Sequence, residues 1–324
     1  MQRDEPNSRV VALAGGVGGA KLAHGIALAR SGEHLSVVVN TADDFTLFGL
    51  HISPDLDTVM YTLAGLANPE TGWGIAGDSF VTLDMIKGYD RDTWFWLGDK
   101  DFATHILRTE RLRSGATLTD VTVELAEALG ITAQLLPMCD EPVATLVETP
   151  DGLLEFQDYF VRRQHADDVL GVQFEGIGAT TIPARVSDAI DDADVMVLCP
   201  SNPIVSTGPI LAIPGLRDRL RRLTIPIVAV SPIIGGQALK GPADQMLATL
   251  GHEVSAAGVA ELYKDFLTGM VIDSQDAHLA ERITDLGIAV HVADTIMRTD
   301  DDRRVLAEET LIFAESLIVK PELA

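Results

Sequence analysis

Two kinds of loop in this chain carry residues able to handle a phosphate ester. The first lies in VVALAGGVGGAKLA, residues 10–23, where Gly15, Gly16, Gly18 and Gly19 interrupt an apolar run and Lys21 follows. Glycines let a backbone turn tightly and approach a ligand closely. A helix that starts there offers free N–H groups to an anion. A lysine in its first turn opposes the helix dipole unless something negative is near. The standard phosphate motifs do not fit. A Walker A loop needs glycine before the lysine and Ser or Thr after it, and Ala20 and Leu22 stand there. The dinucleotide fingerprint needs glycine at position 21.

The second kind is acidic. NTADDF supplies Asn40, Asp43 and Asp44, and SPDLDT supplies Asp55 and Asp57. Ser53 and Pro54 read as an N-cap and first helical residue, which accounts for one aspartate in that first turn but not for four in fifteen residues. Clustered carboxylates beside a phosphate loop suit Mg²⁺, which takes one or two carboxylates together with substrate phosphates. Asp43, Asp44 and Asp57 are the expected metal ligands, and the same three, with Lys21, are the expected catalytic groups. Two further loops share the glycine-rich, small-polar character. SNPIVSTGP places Ser201, Asn202 and Pro203 after an apolar run. IIGGQALKGPAD places Gly235, Gly236, Lys240 and Gly241 after another. Trp73 in TGWGIAGD and the WFW of residues 94–96 offer walls for a flat ligand or packing for a core.

These loops need a scaffold that brings them to one edge. Six β-branched runs, at 10–15, 36–40, 195–200, 226–232, 269–273 and 288–294, alternate with amphipathic stretches such as GLRDRLRRL and DAHLAERITDLG. That alternation predicts a Rossmann-like, doubly wound α/β fold with a mostly parallel sheet buried on both faces. In such sheets ligands bind beyond the carboxyl ends of the strands. Residues 143–161 instead read as two alternating runs around Pro150-Asp151-Gly152, a hairpin. With a helix over 117–130 and a strand over 169–176, they predict an α+β insertion at 116–180 in a core made of 1–115 and 181–324.

The chain's 324 residues carry a net charge of −24, which repels nucleic acid and leaves any anionic substrate dependent on local cations or a metal. Cys139 and Cys199 have neither metal-ligand spacing nor a disulfide framework around them. The opening MQRDEPNS has no signal-peptide pattern, and no apolar stretch is long enough to span a bilayer, so a cytoplasmic protein is expected. The eight histidines form no H-x-x-x-H pair, and His51, His105, His165 and His252 read as structural or exposed.

Taken together, GGVGGAKLA, VVVNTADDF, ISPDLDTVMYTLAG, LGDKDFATHILRT, SNPIVSTGPIL and AVSPIIGGQALKGPADQM resemble the 2-phospho-L-lactate transferase family of coenzyme F420 biosynthesis. The resemblance runs from about residue 10 to the C-terminus. It implies a dimeric, Mg²⁺-dependent Rossmann-like enzyme. That enzyme moves a phospholactyl or phosphoenolpyruvyl group from a guanosine diphosphate-linked donor to the deazaflavin Fo, releasing GMP. It also implies that Asp57 and Lys100 contact the acceptor, with Trp73 at hand, and that Ser201–Pro203, Gly235, Gly236, Lys240 and Gly241 join the first loop in holding the donor. GGVGGAK departs from the GGTGxPK of methanogen members, and the arginine- and alanine-rich composition points to a high-GC bacterium. Both features favour a phosphoenolpyruvyl donor. A second reading is a nucleotide-sugar-binding regulator without catalysis, whose acidic loop would run on into small residues instead of DDFTLFGLHISPDLD. An NAD-dependent dehydrogenase is disfavoured by the failed fingerprint.

Overall fold

The computed structural model describes residues 8–318. Met1–Asn7, where the absence of a signal peptide was read, lie outside the described residues. Fourteen strands form four sheets. The central one contains β1 (Val10–Ala14), β2 (Leu35–Val39), β5 (Gln134–Pro137), β9 (Val195–Leu198), β10 (Ile227–Val230), β13 (Gly269–Asp273) and β14 (Ala289–Ala293). Its order is β14-β13-β10-β9-β1-β2-β5, and every pairing is parallel. All six apolar runs read from the sequence are strands of the central sheet, five of them buried on both faces and β14 partly buried at the sheet edge.

Because side chains alternate along a strand, β1 feeds two cores. Val10, Ala12 and Ala14 pack with Leu22 and Ile26 of α1 (Gly16–Ala29) and with Leu306 and Leu311 of the last helix, Asp300–Ser316. Val11 and Leu13 pack on the other face with Ile190, Leu220 and Val259. Helices cover both faces, which is the doubly wound arrangement. From β1 the chain runs outward through β2 to β5, then returns to the other side of β1 at β9. The order therefore reverses between β1 and β9, where a crevice opens at the carboxyl edge.

Three small sheets hang from this frame. β3 (Phe45–Leu47) and β4 (Leu50–Ile52) form a hairpin before α2 (Pro54–Leu63). β6 (Ala144–Thr149), β7 (Gly152–Glu155) and β8 (Gly171–Glu175) form an antiparallel sheet with the expected turn at 150–151. β11 (Ile233–Ile234) and β12 (Gln237–Ala238) form a two-residue hairpin. Between α2 and β5 come α3 (Val81–Gly88), α4 (Asp99–Arg113) and α5 (Leu118–Ala128). α5 starts with a capping box between Thr117 and Asp120 and leads directly into β5. Since β5 pairs with β2, the segment set apart from the central sheet begins after residue 137, not at 116. No helix among the described residues is long and apolar enough to cross a membrane.

Candidate functional site

The crevice beyond β1 and β9 deepens into a cavity of about 1320 Å³. Its floor explains most of the glycines. A Cβ on Gly15 would lie 2.6 Å from Asp55 Oδ2, and one on Gly18 would strike the Pro200 carbonyl oxygen. Ser201 Oγ accepts from Gly15 N at 3.0 Å and donates to Gly15 O at 2.9 Å, sewing the loop after β9 to the loop after β1. Close loop packing is thus what the glycines provide first. Gly16, Gly18, Ser201 and Asn202 still face the cavity, whereas Gly19 is buried against Ala14 and Ser201.

Two expected phosphate contacts prove to be turns. Gly235 and Gly236, at φ +58° and +78°, make the tight turn joining β11 to β12, and Gly235 N donates to Asp276. Pro203 is not a first helical residue. It lies in a turn whose N–H groups from Ile204 and Val205 are accepted by Asn202 Oδ1, and the next helix starts at Thr207. Lys240 and Gly241, just after the hairpin, do line the cavity.

Lys21 also lines it, but from the second turn of α1 rather than the first, so the dipole opposes its charge less than expected. Its Nζ donates to Met297 O at 2.9 Å. Partial burial and the charges of Arg303 and Lys240 lower its pKa. Lys21, Lys240 and Arg298 together give the cavity a cationic side in a strongly acidic protein.

The four loop aspartates divide into two pairs. Asp44 is held by His51 Nε2 at 2.9 Å and by the Ser53 hydroxyl at 2.8 Å, and it does not line the cavity. Ser53 is the N-cap residue of the helix that begins at Pro54, as read from the sequence, but its hydroxyl is spent on that bond and caps no backbone N–H. Asp57 is gripped through both oxygens by Arg108 of α4, whose side chain is completely buried. Asp43 and Asp55 have no such cation. Asp55 Oδ2 accepts from Asn40 Nδ2 at 3.0 Å, and its carboxylate also takes the Gly16 N–H at the start of α1. The anion at that helix N-terminus is therefore the protein's own. Asp43 Oδ1 is buried with no hydrogen-bond partner among the described residues. Burial and the neighbouring Asp55 charge push the Asp43 carboxyl well up, and burial lifts Asp55 to about 6. Two buried carboxylates with an orphaned oxygen make a hard-oxygen donor set that fits a divalent cation such as Mg²⁺. The expected trio of Asp43, Asp44 and Asp57 is not brought together as a ligand set.

Asp57, Asp101 and His105 form a second cluster, with ligand atoms within 4.8 Å of one another. There a guanidinium already supplies the positive charge. Tyr61 donates to Asp101 Oδ1 at 2.6 Å, and Arg108 Nη1 lies 3.4 Å from His105 Nδ1. Of Asp101, His105 and Arg108, the sequence reading missed Arg108, and its reading of His105 as structural or exposed fits that ring's burial. Their spacing of four and three residues, which sets all three on one helix face, was the available signal.

The remaining walls are aromatic. Trp73 and Trp96 face the cavity, while Trp94 packs against Phe45 and Phe95 with Arg162 over its ring. Another part of the lining is one the sequence reading did not find. Phe156 and Phe160 stack at 5.5 Å, and Phe160 and His165 at 5.7 Å, all three lining the cavity. His165 is exposed, as read from the sequence, and it also lines the cavity. It has φ +46° and follows Gln164 at +53°, a strained pair of the kind that collects at ligand sites. Lys100 does not reach the cavity. Its Nζ donates to Ala76 O at 3.1 Å and Gly77 O at 3.2 Å, pinning the loop that carries Trp73. Lys100→Met is therefore expected to weaken binding of a ligand resting on Trp73 without altering charge at the reacting centre. KM for that ligand should rise with kcat nearly unchanged, and a fall in kcat alone would contradict this placement.

A doubly wound sheet with cations, carboxylates and aromatic side chains gathered in a cavity at its switch point defines an α/β protein with a small-molecule-sized site. The family is specific. The chain belongs to the 2-phospho-L-lactate transferase CofD family, whose pattern it matches over residues 10–311. It is 41% identical over 299 residues to 2-phospho-L-lactate transferase of Methanosarcina mazei, covering 92% of this chain and 98% of that one. It is 40% identical over 315 residues to phosphoenolpyruvate transferase of Streptomyces coelicolor, covering 95% and 99%. A Bacillus halodurans protein of the UPF0052 family has a similar fold, with TM-score 0.61 at 13% identity over 94% of this chain and 99% of that one.

Proposed function

We propose that the cavity transfers a three-carbon phosphoryl group from a guanosine diphosphate-linked donor to the ribityl hydroxyl of the deazaflavin Fo, releasing GMP. The observation that carries the reading is the presence, in one cavity, of Lys21 and Lys240 together with the Asp43–Asp55 pair. Trp73, Trp96, Phe156 and Phe160 line the same cavity and suit a flat acceptor. The hydroxyl oxygen forms a bond to the phosphorus that bears the three-carbon group, and the bond from that phosphorus to the GMP oxygen breaks. GMP leaves as a phosphate monoester and needs no general acid. The hydroxyl proton goes to Asp43, whose carboxyl is pushed up toward holding a proton by burial and the neighbouring Asp55 charge and whose Oδ1 has no partner among the described residues. Asp57 cannot fill that role while both its oxygens bind Arg108. It orients the acceptor instead. Lys21 and Lys240 neutralise equatorial oxygen charge as it builds up. Asp43 and Asp55 would hold Mg²⁺, which when bound supplies further neutralisation of the diphosphate.

Relatives named for either three-carbon group are equally similar, so the donor is argued from this chain. GGVGGAK and the arginine-rich composition favour phosphoenolpyruvyl. The two groups differ by planarity at one carbon, and discrimination on that scale is worth about 1–3 kcal/mol. Incubation with Fo and both donors at equal concentration, followed by mass analysis, is expected to give mainly the dehydro product. A product two hydrogens heavier would overturn the donor choice. No transfer from either donor would overturn the reaction.

A further inference from the structure

We propose that Lys240 is a positioning residue shared by the two halves of the cavity: it ties the loop bearing Trp73 to the donor side, so that an anion bound there tightens the acceptor side. The proposal rests on the reading above for the identity of the two ligands. Its physical basis is one ammonium group and the loop it holds.

Residues 68–78 form a compact loop with its own internal bonds. Asn68 N donates to Gly74 O at 3.0 Å, Gly72 N to Asn68 O at 2.8 Å, and Thr71 Oγ1 to Trp73 O at 2.6 Å. Its base is fixed twice, by the bridge between Ala67 and Ile75 and by Lys100 on Ala76 O and Gly77 O. Its tip is held from across the cavity, where Lys240 Nζ donates to Thr71 O at 2.9 Å. The fit there is close. At Gly72, φ +80°, a Cβ would lie 2.7 Å from Val17 and 3.3 Å from Lys240 Nζ. The tip therefore lies flat on the first turn of α1 and on the lysine. Trp73 is the next residue, half exposed and lining the cavity.

Lys240 is itself exposed and follows a two-residue hairpin, so the tie to Thr71 holds a long flexible side chain in place at an entropic cost. An ammonium has three N–H groups, and the tie uses one. Phosphate oxygens beside Lys21 can accept the others. Lys240 is then ordered once for two purposes. The donor fixes the tip of the loop, and Trp73 meets the acceptor already placed. By linkage the acceptor improves donor binding by the same factor.

The test uses GDP as the donor-side probe and two readouts. With Trp94→Phe and Trp96→Phe, Trp73 is the sole tryptophan. Saturating GDP is expected to shield it from acrylamide and, in the otherwise unaltered protein, to tighten Fo binding about fivefold or more, the usual lower range for coupled sites. Lys240→Met should abolish both effects and Lys240→Arg restore them. Lys21→Met should weaken GDP binding yet leave the coupling at saturation intact. Shielding of Trp73 by GDP that persists in Lys240→Met, or its absence in the parent, would overturn the proposal. Failure of Fo to bind the unaltered protein would overturn the acceptor assignment alone, because the Trp73 readout needs no Fo.

Discussion

Asp55→Asn is expected to make the protein more stable and nearly inactive. Burial lifts the Asp55 carboxyl from 3.8 to about 6 in the folded chain. Its stabilising contribution is therefore complete below pH 3.8 and is lost as pH rises through 6. Above that the folded state carries a buried charge it would shed if it could. A shift of this size corresponds to about 3 kcal/mol. Asparagine keeps an acceptor for Asn40 Nδ2 and the Gly16 N–H but adds a donor that needs a partner, so the expected gain is smaller, about 1–2 kcal/mol at pH 8. Thermal melts in EDTA should show the variant melting higher than wild type at pH 8 and equal to it near pH 4. Saturating Mg²⁺ should close the gap at pH 8 by stabilising the native wild type. Turnover should fall by about 10²–10³-fold, the scale of removing one electrostatic partner from a reacting centre. An unchanged melting point at pH 8 would mean that Asp55 is not strained by burial. A stability gain with full activity would take Asp55 out of the reaction.

How far the sequence anticipates this site depends on what each residue's role needs. The apolar runs of β1, β2, β9, β10 and β13 were legible because both faces of an inner parallel strand are buried, and β14 at the edge was legible from its β-branched residues alone. β5 was not. QLLP is short, mixed in character and ends in proline, and its place is decided by β2 on the far side of four helices. The hairpin around Pro150-Asp151-Gly152 was legible because turn chemistry is local. The same chemistry misled at Gly235-Gly236, where a tight turn and a phosphate cradle ask for the same residues. The acidic cluster was legible as a cluster, but not which members were free. That depends on partners brought in by tertiary structure: His51 across the β3–β4 hairpin, and Arg108 from a helix 51 residues further on. Sequence shows the number of carboxylates, and only packing shows which two remain without a cation. Lys100 is the converse case. Its segment carries the family resemblance, yet its ammonium serves the loop that bears Trp73 rather than the cavity.

Arg108→Met is expected to be the most destabilising single change near the site. The guanidinium is completely buried, and burial alone would favour losing its charge; the bond to Asp57 outweighs this and raises its pKa. Removing the arginine leaves Asp57 buried beside Asp101 without its cation, and breaking a buried pair in this way costs about 3–5 kcal/mol. Against a total stability of about 5–15 kcal/mol, that is a large fraction. Methionine fills most of the arginine stem's volume, so a cavity contributes little. The charge explanation then makes a sharper forecast. Asp57→Asn in the Arg108→Met background should recover at least half of the loss, because it removes the stranded carboxylate. If the double variant is as unstable as the single one in urea titrations at pH 7, the arginine is holding the α2–α4 contact by packing rather than by charge. Activity separates the roles again. The double variant should fold yet bind the acceptor poorly, since the orienting carboxylate is gone, while GDP affinity on the Lys21 and Lys240 side stays within about threefold of wild type, as expected for a site with no shared partner.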